Sequence, residues 1–189
     1  MAIKIFIDQG HNPVNPNAGA EGFGLREQDI TYEVGVRLAE LLNDDPEFEV
    51  KLSRNTKSEQ LGTSLSTSLA ARVNAATAWG ADYFISLHVN ASENPSTSGT
   101  EGYAYSINSE GYWLGSEITD SISEYIGITN RGMFVRPSLY VLRRTSMPAT
   151  LIEMGYITNE NDAYLLSQQP QLFANAIYEG ILTYFGLNS

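Results

Sequence analysis

The sequence predicts an α/β domain of three layers: a mostly parallel, twisted sheet flanked by helices on both faces. Short apolar runs of strand length alternate with longer segments whose apolar residues recur at helical spacing. The 189 residues suit one ordinary domain, and 42% hydrophobic residues against 17% charged ones supply a single substantial core. No repeat or linker divides the chain, so residues 1–189 are expected to form one domain.

The elements follow in order. Residues 3–7 are an apolar strand that ends in loop chemistry at Asp8-Gln9-Gly10-His11-Asn12-Pro13. Residues 12–24, rich in Gly and Pro, form an excursion without regular structure. Ile30, Val34, Leu38 and Leu41 then share one face of a helix. Glu27 and Asp29 lie near its start, where acids suit the positive end of the helix dipole. Phe48-Glu49-Val50-Lys51-Leu52 alternates as a second strand. Leu65, Leu69, Val73 and Ala76 mark a second helix, with Gly80 as its C-cap. Residues 83–87 are a third strand leading to His88, and residues 101–107 a fourth with one side exposed. Ile118, Ile122 and Ile126 place a third helix. Residues 139–142 and 149–152 read as two short strands. From Leu165, after a break at Pro170, a terminal helix carries Phe173, Ile177, Ile181 and Phe185.

Charge and composition narrow the function. A net charge of −11 disfavours nucleic acid and anionic membrane surfaces, both of which need local Lys and Arg. No apolar run is long enough to span a membrane. With no cysteine, thiolate catalysis, disulfides and Cys-ligated metals are excluded. No export signal is visible, because the amino-terminal run reads as a core strand.

In open α/β sheets ligands gather at the carboxyl ends of strands. The chain has two histidines, His11 and His88, and each follows an apolar strand. A lone histidine there is ordinarily a hydrogen-bonded structural residue. Two delivered to the same edge suggest metal ligation, and an open His2Glu site leaves a fourth position for water. Glu27, opening the first helix, and Glu21, on the excursion, are both candidates for the third ligand. Glu153 follows the apolar run Ala149-Thr150-Leu151-Ile152. Partial burial there would raise its pKa toward the range of a general base. The segment 125–152 contains no Asp or Glu but holds Arg131, Arg136, Arg143 and Arg144. This basic island could grip carboxylates through bidentate contacts or pair with the protein's own acids.

The ordered segments Ile5-Phe6-Ile7-Asp8-Gln9-Gly10-His11, Gly24-Leu25-Arg26-Glu27-Gln28-Asp29-Ile30, Ser86-Leu87-His88-Val89-Asn90-Ala91 and Leu151-Ile152-Glu153-Met154-Gly155-Tyr156-Ile157-Thr158-Asn159 resemble the type 3 family of zinc-dependent N-acetylmuramoyl-L-alanine amidases. Ala71-Arg72-Val73-Asn74 and Asn130-Arg131-Gly132 match more weakly. The sequence departs from the family at Gln9, where Pro is usual, and at Asn12-Pro13, where glycines are usual. The resemblance implies one Zn2+ per chain held by His11, Glu27 and His88, favouring Glu27 over Glu21, with Glu153 as the catalytic glutamate. It implies a monomeric catalytic domain over residues 1–189 that cuts the bond between N-acetylmuramic acid and L-alanine in peptidoglycan. Asn90, Arg131 and Arg143 are the candidates for contact with muramic acid and the stem peptide. A zinc carboxypeptidase and a non-catalytic wall-binding module are the alternatives. Action on the cell wall without a visible export signal would require release by lysis, passage through a holin, or origin in a longer exported protein.

Overall fold

The computed structural model describes residues 2–187. Six strands form one mixed sheet: β1 (Ile3–Gln9), β4 (Phe48–Leu52), β5 (Tyr83–Asn90), β6 (Thr100–Ala104), β7 (Asn130–Val135) and β8 (Ala149–Tyr156), in the order β4-β1-β5-β8-β6-β7. Parallel pairing joins β4, β1, β5 and β8. β6 runs antiparallel to β8, and β7 is parallel to β6. The mostly parallel three-layer sheet expected from the sequence is therefore present, with reversed direction at one edge.

Side-chain alternation along β1 builds the layers. Ile5 and Ile7 enter one core with Val34 and Leu38 of α1 (Glu27–Asp44), Ile118 and Ile122 of α3 (Glu110–Ile126), and Phe173 and Ile177 of α6 (Pro170–Phe185). Phe6 points the other way and stacks on Phe84, ring centroids 5.5 Å apart. That second core is closed by Val73 and Ala76 of α2 (Leu65–Trp79) and by Val141 and Leu142 of α4 (Tyr140–Arg144). The α2 helix starts at a Ser64–Thr67 capping box and stops at Gly80, whose φ of 73° is left-handed as the sequence anticipates.

Three expectations need correction. Residues 139–142 are not a strand: Leu139 caps α4, and Arg143 N donates to Leu139 O at 3.0 Å. A four-residue apolar run has no periodicity that separates a strand from one helical turn. The excursion is not wholly irregular, since β2 (Glu21–Gly22) and β3 (Leu25–Arg26) pair as a small hairpin. The terminal helical region begins earlier than Leu165 and is divided, with α5 (Glu160–Gln168) preceding α6 and Pro170 opening the latter. Strand β7 went unrecognised because an edge strand with exposed Phe134 and Val135 lacks clean alternation.

Candidate metal centre and active site

The carboxyl ends of β1 and β5 and the start of α1 converge. Gly10 N donates to Leu87 O at 3.0 Å, which brings the turn after β1 against β5. A Cβ on Gly10 would lie 2.6 Å from His88 Cε1, so the close approach requires glycine. Thr31 of α1 donates its hydroxyl to Gly10 O at 2.8 Å. His11 follows with φ 68°, a left-handed conformation uncommon for a non-glycine residue.

Buried Arg72 holds that conformation. Its Nη1 donates to Asp8 Oδ1 at 2.6 Å and Gln9 O at 2.7 Å, and its Nη2 donates to His11 O at 2.6 Å. Ser86 donates to the other Asp8 oxygen at 2.8 Å. Burial opposes the charge on Asp8, but Arg72 outweighs it and holds the carboxyl below its ordinary pKa. The side-chain Oε1 of Gln9 accepts from Arg54 N at 2.9 Å. Asn12 ties down the excursion, donating to Pro16 O at 2.8 Å and Leu61 O at 2.9 Å.

Glu27 is the first residue of α1 and is buried. Its Oε1 lies 3.1 Å from His11 Nε2 and 3.0 Å from His88 Nδ1, and accepts from Val89 N at 2.9 Å. Its Oε2 accepts from Ala20 N at 2.9 Å. Burial would raise the Glu27 pKa, yet hydrogen bonds from the two imidazoles overcome it and keep the carboxyl far below its usual range. One donor atom from each of His11, Glu27 and His88 lies within 4.8 Å of the others. Two imidazoles and a carboxylate at this spacing match the donors of an open zinc site. Glu21 is exposed on β2 and stands outside this group.

Glu153 lies opposite His88 in the β5–β8 register, inside β8 and not past its end. The residue is half-buried, but its Oε2 is buried and has no hydrogen-bond partner. Burial, then the nearby Glu27 and Glu101 charges, push its pKa well above the ordinary carboxylate value. This is the direction expected of a general base awaiting a counter-charge.

On the far side of Glu153 is a buried hub the sequence reading did not anticipate. Glu101 accepts from Asn90 Nδ2 at 2.8 Å, Arg131 Nε at 2.9 Å and Tyr156 OH at 3.1 Å, and also from Tyr103 OH. Asn90 and Arg131 are thus brought together beside Glu153. Arg143 is elsewhere, lining a separate cavity with Ser109, Met147 and Ala149 at the amino end of β8. A groove beside His11 and His88 is walled by Leu65, Leu69, Tyr140 and Leu151.

A family model described as N-acetylmuramoyl-L-alanine amidase matches residues 5–183. The chain is 35% identical to the N-acetylmuramoyl-L-alanine amidase CwlM of Bacillus licheniformis, over 98% of this chain and 70% of that protein. It is also 35% identical to the sporulation-specific N-acetylmuramoyl-L-alanine amidase of Bacillus subtilis, over 85% of this chain but only 59% of that protein. The structure of N-acetylmuramoyl-L-alanine amidase AmiC2 of Nostoc punctiforme superposes with a TM-score of 0.83 at 33% identity, covering 97% of each chain. A match of this extent, joined to the same fold, shows that the chain belongs to the N-acetylmuramoyl-L-alanine amidase family of hydrolases.

Proposed function

We propose that this chain is a zinc-dependent amidase that hydrolyses the bond between N-acetylmuramic acid and L-alanine in peptidoglycan. The observation that carries the reading is the placement of Glu153 in register with His88, beside the converged His11, Glu27 and His88. These three residues would hold one zinc ion, which when bound supplies Lewis acidity toward water and the scissile carbonyl.

The chain's own groups supply the remainder. Glu27 is kept ionised, so the ligand set carries one negative charge toward a dication. Arg72 and Gly10 fix the backbone that aims the two imidazoles. Glu153 takes the proton of the attacking water and returns it to the departing L-alanine nitrogen, which leaves poorly unless protonated. Asn90 and Arg131 border the substrate on the far side of Glu153. Arg143, in its separate cavity, is assigned no substrate contact.

The continuous sheet and the family match over residues 5–183 support reading residues 1–189 as a single catalytic domain. Its substrate places its action at the cell wall. Among the described residues, no helix is long and apolar enough to cross a membrane.

Product analysis on purified walls, with zinc content measured in parallel, tests the reading. Intact glycan strands and new L-alanine amino termini are expected, with one zinc per chain. Release of carboxyl-terminal residues would favour a carboxypeptidase, absence of turnover with added zinc a binding module, and undiminished release in chelator would remove the zinc.

A further inference from the structure

Four strands place four functional groups in one row. His88 on β5 pairs with Glu153 on β8, and Glu153 pairs with Glu101 on β6. The β6–β7 register shifts between Thr100↔Asn130 and Gly102↔Met133, which leaves Arg131 and Gly132 opposite Glu101. Neighbouring strands lie about 4.8 Å apart, so the Arg131 backbone is roughly 10 Å from that of Glu153.

Arg131 does not extend away from the row. Its Nε donates to Glu101 Oε2 at 2.9 Å, its Nη1 reaches Ser98 O at 3.5 Å, and its guanidinium lies 5.4 Å from the Tyr156 ring centroid. Glu101 is itself held by Asn90, Tyr103 and Tyr156, so the anchor is rigid. The guanidinium is therefore oriented before any ligand arrives, while its side chain remains 38% exposed. A guanidinium has five N–H donors, and this arrangement leaves outer ones for an incoming acceptor.

Charge identifies the acceptor. The outer N–H groups of Arg131 carry positive charge on a part-exposed side chain in a chain of net charge −11, so a carboxylate is the group they would hold best. Spacing identifies its position. With the scissile carbonyl beside His88 and Glu153, a peptide running along the row toward β7 advances about 3.5 Å per extended residue, which brings its second residue to the Arg131 side of the row.

We infer that Arg131 is a specificity-determining residue that reads the free α-carboxylate of the stem-peptide residue following L-alanine, and disfavours the amidated form. This rests on the amidase reading above. A carboxylate accepts two N–H donors from a guanidinium in parallel, whereas an amide offers one acceptor and turns its own N–H2 toward the remaining donors.

The test uses the zinc-loaded 189-residue chain and two soluble substrates, N-acetylmuramoyl-L-alanyl-D-glutamic acid with its side-chain carboxyl blocked as an alkyl amide and its α-carboxylate free, and the same compound with the α-carboxylate amidated. Wild type is expected to show kcat/KM roughly ten- to a hundred-fold higher for the free acid, the scale of one charge-assisted contact. Arg131→Gln should collapse that ratio toward one, and Arg131→Lys, which keeps the charge but not the fork, should restore part of it. Affinities of the two compounds for Glu153→Gln protein should show the same preference. A wild-type ratio near one, or a ratio that survives in Arg131→Gln because both substrates suffer equally, overturns the inference while leaving the amidase reading intact. Cleavage of neither compound by wild type would overturn both.

Discussion

Glu101 and Glu153 are direct cross-strand partners on β6 and β8, yet they are hydrogen-bonded in opposite ways. Glu101 accepts from Asn90, Tyr103, Arg131 and Tyr156, so both its oxygens are occupied. Glu153 Oε2 is buried with no partner, and the Glu101 charge adds to its difficulty in ionising. The saturated carboxylate anchors; the unsaturated one is left to handle protons.

Replacing Glu153 with Gln should separate catalysis from ligation. The substitution keeps shape and removes proton transfer. Turnover is expected to fall about 10²–10⁴-fold, the usual scale of general acid–base contributions, or further because one residue serves two steps. Zinc stoichiometry should stay that of wild type. Near-wild-type muropeptide release, or loss of metal from Glu153→Gln, would assign the residue another role.

The raised pKa of Glu153 also has a consequence for the metal-free fold. A carboxyl whose native pKa exceeds its unfolded value binds its proton more tightly when folded. Its contribution is fully present below the ordinary carboxylate pKa of about 4.3 and is lost as pH rises through the raised native value. Glutamine does not titrate and escapes that loss. In chelator, Glu153→Gln and wild type should melt together near pH 4, with the variant gaining the higher Tm as pH rises toward neutral. Thermal melts across this range decide, and a variant that is equally or less stable at pH 7 would contradict the burial argument.

The Asp8–Arg72 pair should be the largest single polar determinant beneath the site. Both residues are buried, with Arg72 Nη1 2.6 Å from Asp8 Oδ1. Removing one partner of a buried pair costs about 3–5 kcal/mol, because the other charge remains uncompensated. Arg72→Met is expected to destabilise by that amount at pH 7. Asp8 has a lowered native pKa, so its stabilisation is present above its unfolded value of about 3.9 and is lost as pH falls through the native one. The gap between wild type and Arg72→Met should therefore narrow in acid. Urea midpoints at pH 7 and at about pH 3 measure it; a gap independent of pH would mean that packing, not charge, dominates.

The legible part of this molecule was what local pattern encodes. The apolar runs before His11, His88 and Glu153 located β1, β5 and β8, although His88 and Glu153 lie within their strands and not past them, and the acid at the head of an amphipathic helix located Glu27. Those four residues do meet in the fold. What local pattern does not carry is register. Nothing near Glu101 reveals that it will stand opposite Glu153, or that Asn90, Tyr103, Arg131 and Tyr156 from four separate strands will close on it. Arg72 was equally obscure, because an arginine in an amphipathic helix normally reads as surface and here is 1% exposed. The α4 turn was mistaken for a strand because its four apolar residues carry no period.

Two substitutions at the β1–β5 contact should weaken zinc binding for different reasons. His88→Ala removes a donor atom, so affinity falls and excess zinc restores activity only in part. Gly10→Ala keeps every ligand, but its Cβ would lie 2.5 Å from Leu87 O and 2.6 Å from His88 Cε1. Backbone or imidazole must then move, and the three donor atoms lose the spacing that holds them within 4.8 Å. Disturbing the support of metal ligands typically costs 10- to 100-fold in affinity, and a loss of about that size is expected for Gly10→Ala. Competition with a calibrated chelator gives both affinities, and far-ultraviolet circular dichroism checks that each variant is folded. Wild-type affinity in folded Gly10→Ala would show that the tight packing at Gly10 does not position His88.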